Sequence, residues 1–314
     1  MNTRIPEVYW ILGTLLAAAT LATLTGYELA RRKPLDQGIE NLNARIRSWW
    51  VLIVVGGGAL LAGRIAVILL FAFVSFLALR EFVTQTPVRR ADHSALFLCY
   101  FIALPVQYVL VGIGWYGLFS VFIPVYGFLA LAIAAALFSD TERFLDRAAT
   151  TQWGLMVCVY CISHIPALMT LEIPGYENRT PLLMVFVVLI AQVSDIMQYV
   201  WGKLIGRNLV APVLSPSKTV EGLLGGVLSA TALGALLWRI TPFNAWQAGL
   251  MAFLIAILGF LGGLVMSAIK RDRGIKDWSN LIDGHGGMLD RIDALILVAP
   301  VVWYYFELVL ASRG

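Results

Sequence analysis

Long apolar stretches separated by short polar ones run along the chain from end to end. Runs close to the roughly 20 residues that carry a helix across a bilayer fall at 8–29, 49–63, 65–83, 95–112, 116–138, 153–170, 182–201, 220–239, 247–266 and 292–310. They predict an all-α, polytopic integral membrane protein with about nine or ten transmembrane helices. The open point is 49–83, where Gly56, Gly57, Gly58 and Arg64 interrupt the run; it reads either as two helices or as one crossing plus an interfacial segment. Ten-residue segments of alternating polarity are missing, which excludes a membrane barrel, the other architecture that satisfies every backbone group in lipid. No loop is long enough for a soluble domain. The chain divides into an amino-terminal transmembrane region, 1–181, and a carboxy-terminal one, 182–314, that carries the polar chemistry.

Composition agrees: 60% of residues are hydrophobic and 13% charged, with a mean hydropathy of +0.81, against about 25% charged in soluble domains. Counting loops alternately from an outside amino terminus gives a one-sided distribution of basic residues. The segments 31–48, 84–94, 139–150, 202–219 and 267–291, with Arg80, hold 18 of the 23 Lys and Arg; the opposite side keeps Arg4, Arg64, Arg179, Arg239 and Arg313. Cytoplasmic loops carry the positive excess, so these five segments are expected in the cytoplasm and both termini outside. The net charge of +4 then reflects topology and contact with anionic lipid headgroups, not nucleic acid. The first apolar run is long and its basic flank follows it, which predicts a retained anchor instead of a cleaved signal. Cys99, Cys158 and Cys161 all lie in apolar runs and read as small core residues; Cys158 and Cys161 have C-x-x-C spacing but no redox-domain pattern around them.

Two polar segments on the predicted inner face stand out. Asp195 lies inside the seventh run, where a carboxylate marks either a functional site or a structural partner for a buried cation or amide. Gln198 and Tyr199 follow at i+3 and i+4, on the same helix face. Beyond them Ser215-Pro216-Ser217-Lys218-Thr219-Val220-Glu221-Gly222 reads as a helix start, with Ser217 as the cap and Glu221 in the first turn. The same geometry offers free amides and a positive dipole end to a phosphate, with Ser215, Lys218 and Thr219 as added donors.

The second segment, 267–293, packs 10 of the 42 charged side chains into 27 residues. Lys270, Arg271, Arg273 and Lys276 could be topology determinants alone, but that leaves Asp277, Asp283, Asp290 and Asp293 unexplained. Carboxylates among several cations suit a Mg²⁺-nucleotide site, because Mg²⁺ takes one or two carboxylates and completes its shell with phosphates and water. Asp290 and Asp293 are one helical turn apart. Gly284, Gly286 and Gly287 around His285 let backbone amides approach a phosphate.

Ser267-Ala268-Ile269-Lys270-Arg271, then Lys276-Asp277, then His285-Gly286-Gly287-Met288-Leu289-Asp290-Arg291-Ile292-Asp293 resembles the signature of the phosphatidate cytidylyltransferase family, also called CDP-diacylglycerol synthases. Asp195 with Tyr199 and Gly202, and the SPSKTVEG segment, resemble that family's two upstream motifs. The resemblance covers residues 182–310; the amino-terminal half matches as a generic multi-span region. It implies a membrane enzyme, a homodimer in the bacterial inner (cell) membrane, that uses Mg²⁺ and CTP to convert phosphatidate to CDP-diacylglycerol and pyrophosphate. It implies catalytic roles for Lys276, Asp277, His285, Asp290 and Arg291 and metal ligation by Asp195, Asp283, Asp290 and Asp293. Substrate contacts are implied for Tyr199, Ser215, Lys218, Thr219, Glu221, Lys270 and Arg271.

This chain departs from the family pattern at several positions. Such enzymes carry Gly-Asp-Leu-x-Glu-Ser before the signature serine, with the Asp a metal ligand, where this chain has Gly262-Gly263-Leu264-Val265-Met266-Ser267. Asp283 stands where Pro, Gly or Ser is usual, Ser217 replaces a Lys and Ala294 a Ser. Three readings stay open: another carboxylate, Asp283 among them, restores the metal site; the enzyme acts on a different lipid phosphate; or the chain is a catalytically inactive lipid-binding relative.

Overall fold

The computed structural model describes residues 6–32, 37–86, 92–138, 142–281 and 286–310. They form ten apolar helices, α1 Pro6–Arg32, α2 Gln37–Ala62, α3 Arg64–Thr84, α4 His93–Ile113, α5 Tyr116–Leu137, α6 Phe144–Thr170, α7 Thr180–Ile205, α8 Val220–Leu236, α9 Ala245–Asp272 and α10 Met288–Leu310. Nine are long enough to cross a membrane, and α8, with 17 residues, is the short one. The chain is a multi-pass membrane protein.

The interrupted run at 49–83 is two helices. The break falls at Gly63, whose φ of 102° is reached at no steric cost only by glycine, while Gly56, Gly57 and Gly58 continue inside α2. Helix α2 also begins well before the predicted start at 49, so the expected loop 31–48 is largely helical. The apolar signal placed the membrane-facing part of this helix and missed its polar first turns.

A second departure lies between α7 and α8. There β1 (Leu209–Ala211) and β2 (Ser215–Thr219) pair antiparallel, with Leu209 opposite Thr219 and Ala211 opposite Ser215. The two-stranded ribbon has open edges on both sides, which tolerates Pro216. The Glu221 carboxylate ties its base, accepting the backbone N–H of Arg207 at 3.0 Å and of Asn208 at 3.2 Å and the Asn208 side-chain amide at 2.7 Å.

Helices α7, α8, α9 and α10 pack in sequence, and α10 turns its other face to α3 and α6. The core runs through these elements, with Leu155, Ile165, Phe186, Ile255, Val298 and Trp303 fully or almost fully buried. Between helices in lipid, close packing replaces water exclusion as the main attraction. Helices α1 and α2 pair with each other at one flank and leave most of their surface open.

Segments that the charge pattern groups together also meet. At one end Arg147 pairs with Asp92 at 3.4 Å, the Arg273 side chain reaches the Thr150 hydroxyl, Gln85 donates to the Trp278 carbonyl at 3.1 Å, and Arg45 lies over the Tyr199 ring. At the other end Arg179 pairs with Glu7 at 3.0 Å and donates to the Arg239 carbonyl, and Arg64 donates to the Gly112 carbonyl.

Candidate functional site

Seven ionic residues of the two polar segments converge on a cavity of about 200 Å³ between α7, β2, α9 and α10: Asp195, Lys218, Lys270, Asp277, Asp290, Arg291 and Asp293 line it together with Gly259, Gly263, Ser267 and Ala294. Three helices and a strand therefore bring together charges that are up to 98 residues apart, from Asp195 to Asp293. Helices α9 and α10 come close because α9 presents bare backbone here: a side-chain carbon at Gly262 would lie 2.8 Å from the Asp293 carbonyl oxygen.

Asp290 is tightly engaged. Its Oδ1 accepts from Lys270 Nζ at 2.8 Å, and its Oδ2 accepts the backbone N–H groups of Trp278 and Gly287, both at 2.9 Å. The Lys270 and Asp290 side chains are 12% and 6% exposed. A carboxylate has about four lone-pair directions, so these three bonds make Asp290 first of all the anchor of the loop between α9 and α10.

Glu81, from α3, completes that anchor and was missed in the sequence. It accepts the backbone N–H of Met288 and of Leu289, both at 2.8 Å, and the Ser279 hydroxyl at 2.6 Å. These are free amides of the first turn of α10, so a buried carboxylate from the amino-terminal half caps the helix that carries Asp290 and Asp293 and meets its dipole. Phe82 stacks on the fully buried Trp278 at 5.4 Å. The only sequence signal was an acidic residue beside Arg80 at the end of an apolar run.

The glycines of this loop admit carboxylates. Gly286 has φ 80°, and a side-chain carbon there would lie 2.8 Å from Asp290 Oδ2; one at Gly287 would lie 2.5 Å from Glu81 Oε2. The Gly287 amide, expected to be open to a phosphate, is occupied by Asp290, and the amides of Met288 and Leu289 by Glu81.

Asp293 is left as the freer carboxylate of α10: Oδ1 accepts the Ala294 N–H at 2.7 Å. Asp195 and Asp290 act on its charge from the acidic side, and Lys270 and Lys218 offset them. Among the described residues no three His, Cys, Asp or Glu side chains converge as a self-sufficient metal cluster. Two carboxylates suffice for Mg²⁺ when phosphates complete its shell, and Asp293 and Asp195 facing one cavity meet that need.

Arg291 lines the cavity, and its Nε has no hydrogen-bond partner among the described residues. Other predicted residues lie elsewhere. Tyr199 is 53% exposed and held between Arg45 and Lys203, at 5.6 and 5.5 Å from its ring. Thr219, and not Ser217, caps α8, accepting the Gly222 N–H at 3.1 Å. Ser215 is buried at the start of β2, Glu221 is engaged at the base of the ribbon, and Lys276 and Arg271 are exposed, with Arg271 donating to the Ile275 carbonyl. Asp283 and His285 lie outside the described residues. Cys99 and Cys158 are buried, Cys161 partly so, and all three are free thiols.

A larger cavity of about 440 Å³ lies between α3, α4, α6 and the end of α9. Its arginines are matched by neighbouring acids, Arg147 by Asp92, Arg143 by Asp146 and Arg273 by Asp272, and it holds none of the predicted site residues.

Over residues 43–309 the chain matches the model of the Cytidylyltransferase family. It is 41% identical over 297 residues to a protein of Escherichia coli (strain K12) called uncharacterized protein YnbB, covering 94% of this chain and 97% of that one. It is 35% identical over 131 residues to the phosphatidate cytidylyltransferase of Staphylococcus saprophyticus and 43% identical over 119 residues to that of Synechocystis. These two alignments span 40% and 37% of this chain and 50% and 40% of the enzymes, so the chain matches half or less of their length.

Proposed function

We propose, from the premise that the chain belongs to the cytidylyltransferase family, that it transfers the cytidylyl group of CTP to the phosphate of a membrane lipid, with phosphatidate as the substrate and CDP-diacylglycerol and pyrophosphate as products. The observation that carries this reading is the single cavity in which Asp195, Asp290 and Asp293 share walls with Lys218, Lys270 and Arg291.

In this reaction an oxygen of the lipid phosphate bonds to the α-phosphorus of CTP. The bond from that phosphorus to the bridging oxygen breaks, and its electron pair leaves with pyrophosphate. The nucleophile is already anionic, so the chain needs no general base; its work is to bring two anions together and orient them. Lys218 and Arg291 are placed to offset phosphate charge, while Lys270 holds Asp290, and through it the loop, in position. Asp293 with Asp195 would hold Mg²⁺, which when bound supplies charge against the departing pyrophosphate.

A second reading, the same transfer to a different lipid phosphate, is favoured by one observation: similarity to the phosphatidate enzymes stops at half their length or less. Purified protein in detergent, given labelled CTP, Mg²⁺ and phosphatidate, is expected to release pyrophosphate and form CDP-diacylglycerol. Product from another lipid phosphate and none from phosphatidate would establish the second reading. No product from any lipid phosphate would overturn both.

A further inference from the structure

The two lysines of the cavity differ in a way their sequence contexts do not reveal. Lys270 is ion-paired with Asp290. The Lys218 ammonium has no carboxylate of the described residues within ion-pair distance; it lies over the Phe260 ring, 4.9 Å from its centroid. The space it occupies exists because residue 263 has no side chain. A carbon on Gly263 would lie 2.8 Å from Lys218 Nζ and, among the described residues beyond its own stretch of helix, would meet within 4 Å only one further atom, Asp293 Oδ2, at 3.9 Å. Phe260 and Gly263 are three residues apart on α9, hence on one face. A ring face and bare backbone thus form a seat for an ammonium group, with cation–π attraction on one side and room on the other.

The Asp293 carboxylate acts on this ammonium only from beyond ion-pair distance, so the ammonium keeps its hydrogen-bonding capacity for another anion. It is held where an incoming anion can reach it. We propose that Phe260 and Gly263 keep the Lys218 ammonium unpaired so that it anchors a substrate phosphate directly, and that this anchoring operates without any divalent ion. The ligand is a phosphate group, carried by a lipid headgroup or by a nucleotide. The choice between those two carriers rests on the cytidylyl-transfer reading; the seat itself does not. Any side chain at 263 would push the ammonium out, and an acidic one would capture it.

Equilibrium dialysis of the full chain in detergent with EDTA, using labelled CTP in one arm and labelled dihexanoyl phosphatidate in the other, tests this. The wild type is expected to bind at least one of the two, and the arm that binds identifies the carrier. Lys218→Met is expected to lose tenfold or more in affinity. Gly263→Asp, which leaves the lysine in place but gives it a carboxylate, should lose as much, and Phe260→Leu less. Thermal unfolding confirms that each variant is folded, and Gly263→Asp still reads the seat should Lys218→Met unfold. Absence of metal-free binding in the wild type, or Lys218→Met and Gly263→Asp variants that bind as the wild type does, would overturn the proposal. Lys218-dependent binding in EDTA without CDP-lipid formation in Mg²⁺ would leave the seat standing and remove the enzymatic reading. CDP-lipid formation without metal-free binding would do the opposite.

Discussion

Glu81 on α3 accepts the backbone N–H of Leu289 at 2.8 Å across 208 positions of sequence, joining the amino-terminal half to the helix that carries the acidic residues. Removing the acceptor leaves the amides of Met288 and Leu289 unsatisfied in a buried place, at about 1–3 kcal/mol each. Glu81→Ala is expected to lower the unfolding midpoint by several degrees and CTP turnover by about tenfold or more. Glu81→Gln keeps an acceptor oxygen but loses the charge at the helix start, and should fall between. A Glu81→Ala protein with wild-type midpoint and turnover would show that the cap does not hold the loop.

Asp290 and Asp293, one turn apart on α10, should separate in their effects. Asp290 accepts three hydrogen bonds, one of which is its buried ion pair with Lys270, and breaking a buried pair by removing one partner costs about 3–5 kcal/mol. Asp290→Ala is expected to lose both stability and activity. Asp293→Asn should keep its melting curve within a few degrees while turnover drops by about 10²-fold, the scale of losing one group that stabilises transition-state charge. Equal loss of stability in both variants would contradict this division.

Tyr199 lies outside the cavity, between two cations. Tyr199→Phe keeps the ring and is expected to change CTP turnover less than twofold. A larger loss would mean that the phenol hydroxyl reaches a substrate.

Lys218 and Lys276 are expected on the cytoplasmic face, with Arg179 and Arg239 opposite. Single cysteines at these positions, in a chain whose Cys99, Cys158 and Cys161 are replaced, should label from the inside for the first two and from the outside for the others. Labelling of 218 and 276 from opposite faces would refute the topology.

The positions of the spans were legible because the bilayer demands long apolar runs, and the runs ending at 63 and starting at 65 bracket the break at Gly63; helix lengths were not, because the polar first turns of α2 and α6 carry no apolar signal. The charges that meet in the cavity were legible as residue types, since ions in an apolar chain have few uses. Their partners were not. Whether Asp290 faces an ion, a lysine or two backbone amides depends on how α9, α10 and the intervening loop cross, and no periodicity records that. Glu81 was hidden for the same reason: beside Arg80 it reads as interfacial charge until α3 is packed on α10. Tyr199 shows the converse, because sharing a helix face with Asp195 does not fix which of the two meets the neighbouring helix.

The shortness of α8 bears on where the cavity lies relative to a bilayer. Its 17 residues rise about 26 Å, less than the about 30 Å of hydrocarbon in a typical bilayer, and Lys218 sits just before its first turn. On α9, Gly263 comes nine residues before the end at Asp272, about 13 Å along the axis. With α8 and α9 along the membrane normal, those lengths would put the ammonium below the level where lipid headgroups normally lie. A lipid can present its phosphate there by moving sideways within its own leaflet, while a water-soluble partner has to descend along the polar end of α9. Under the cytidylyl-transfer reading the two reactants would then approach the ammonium by different routes.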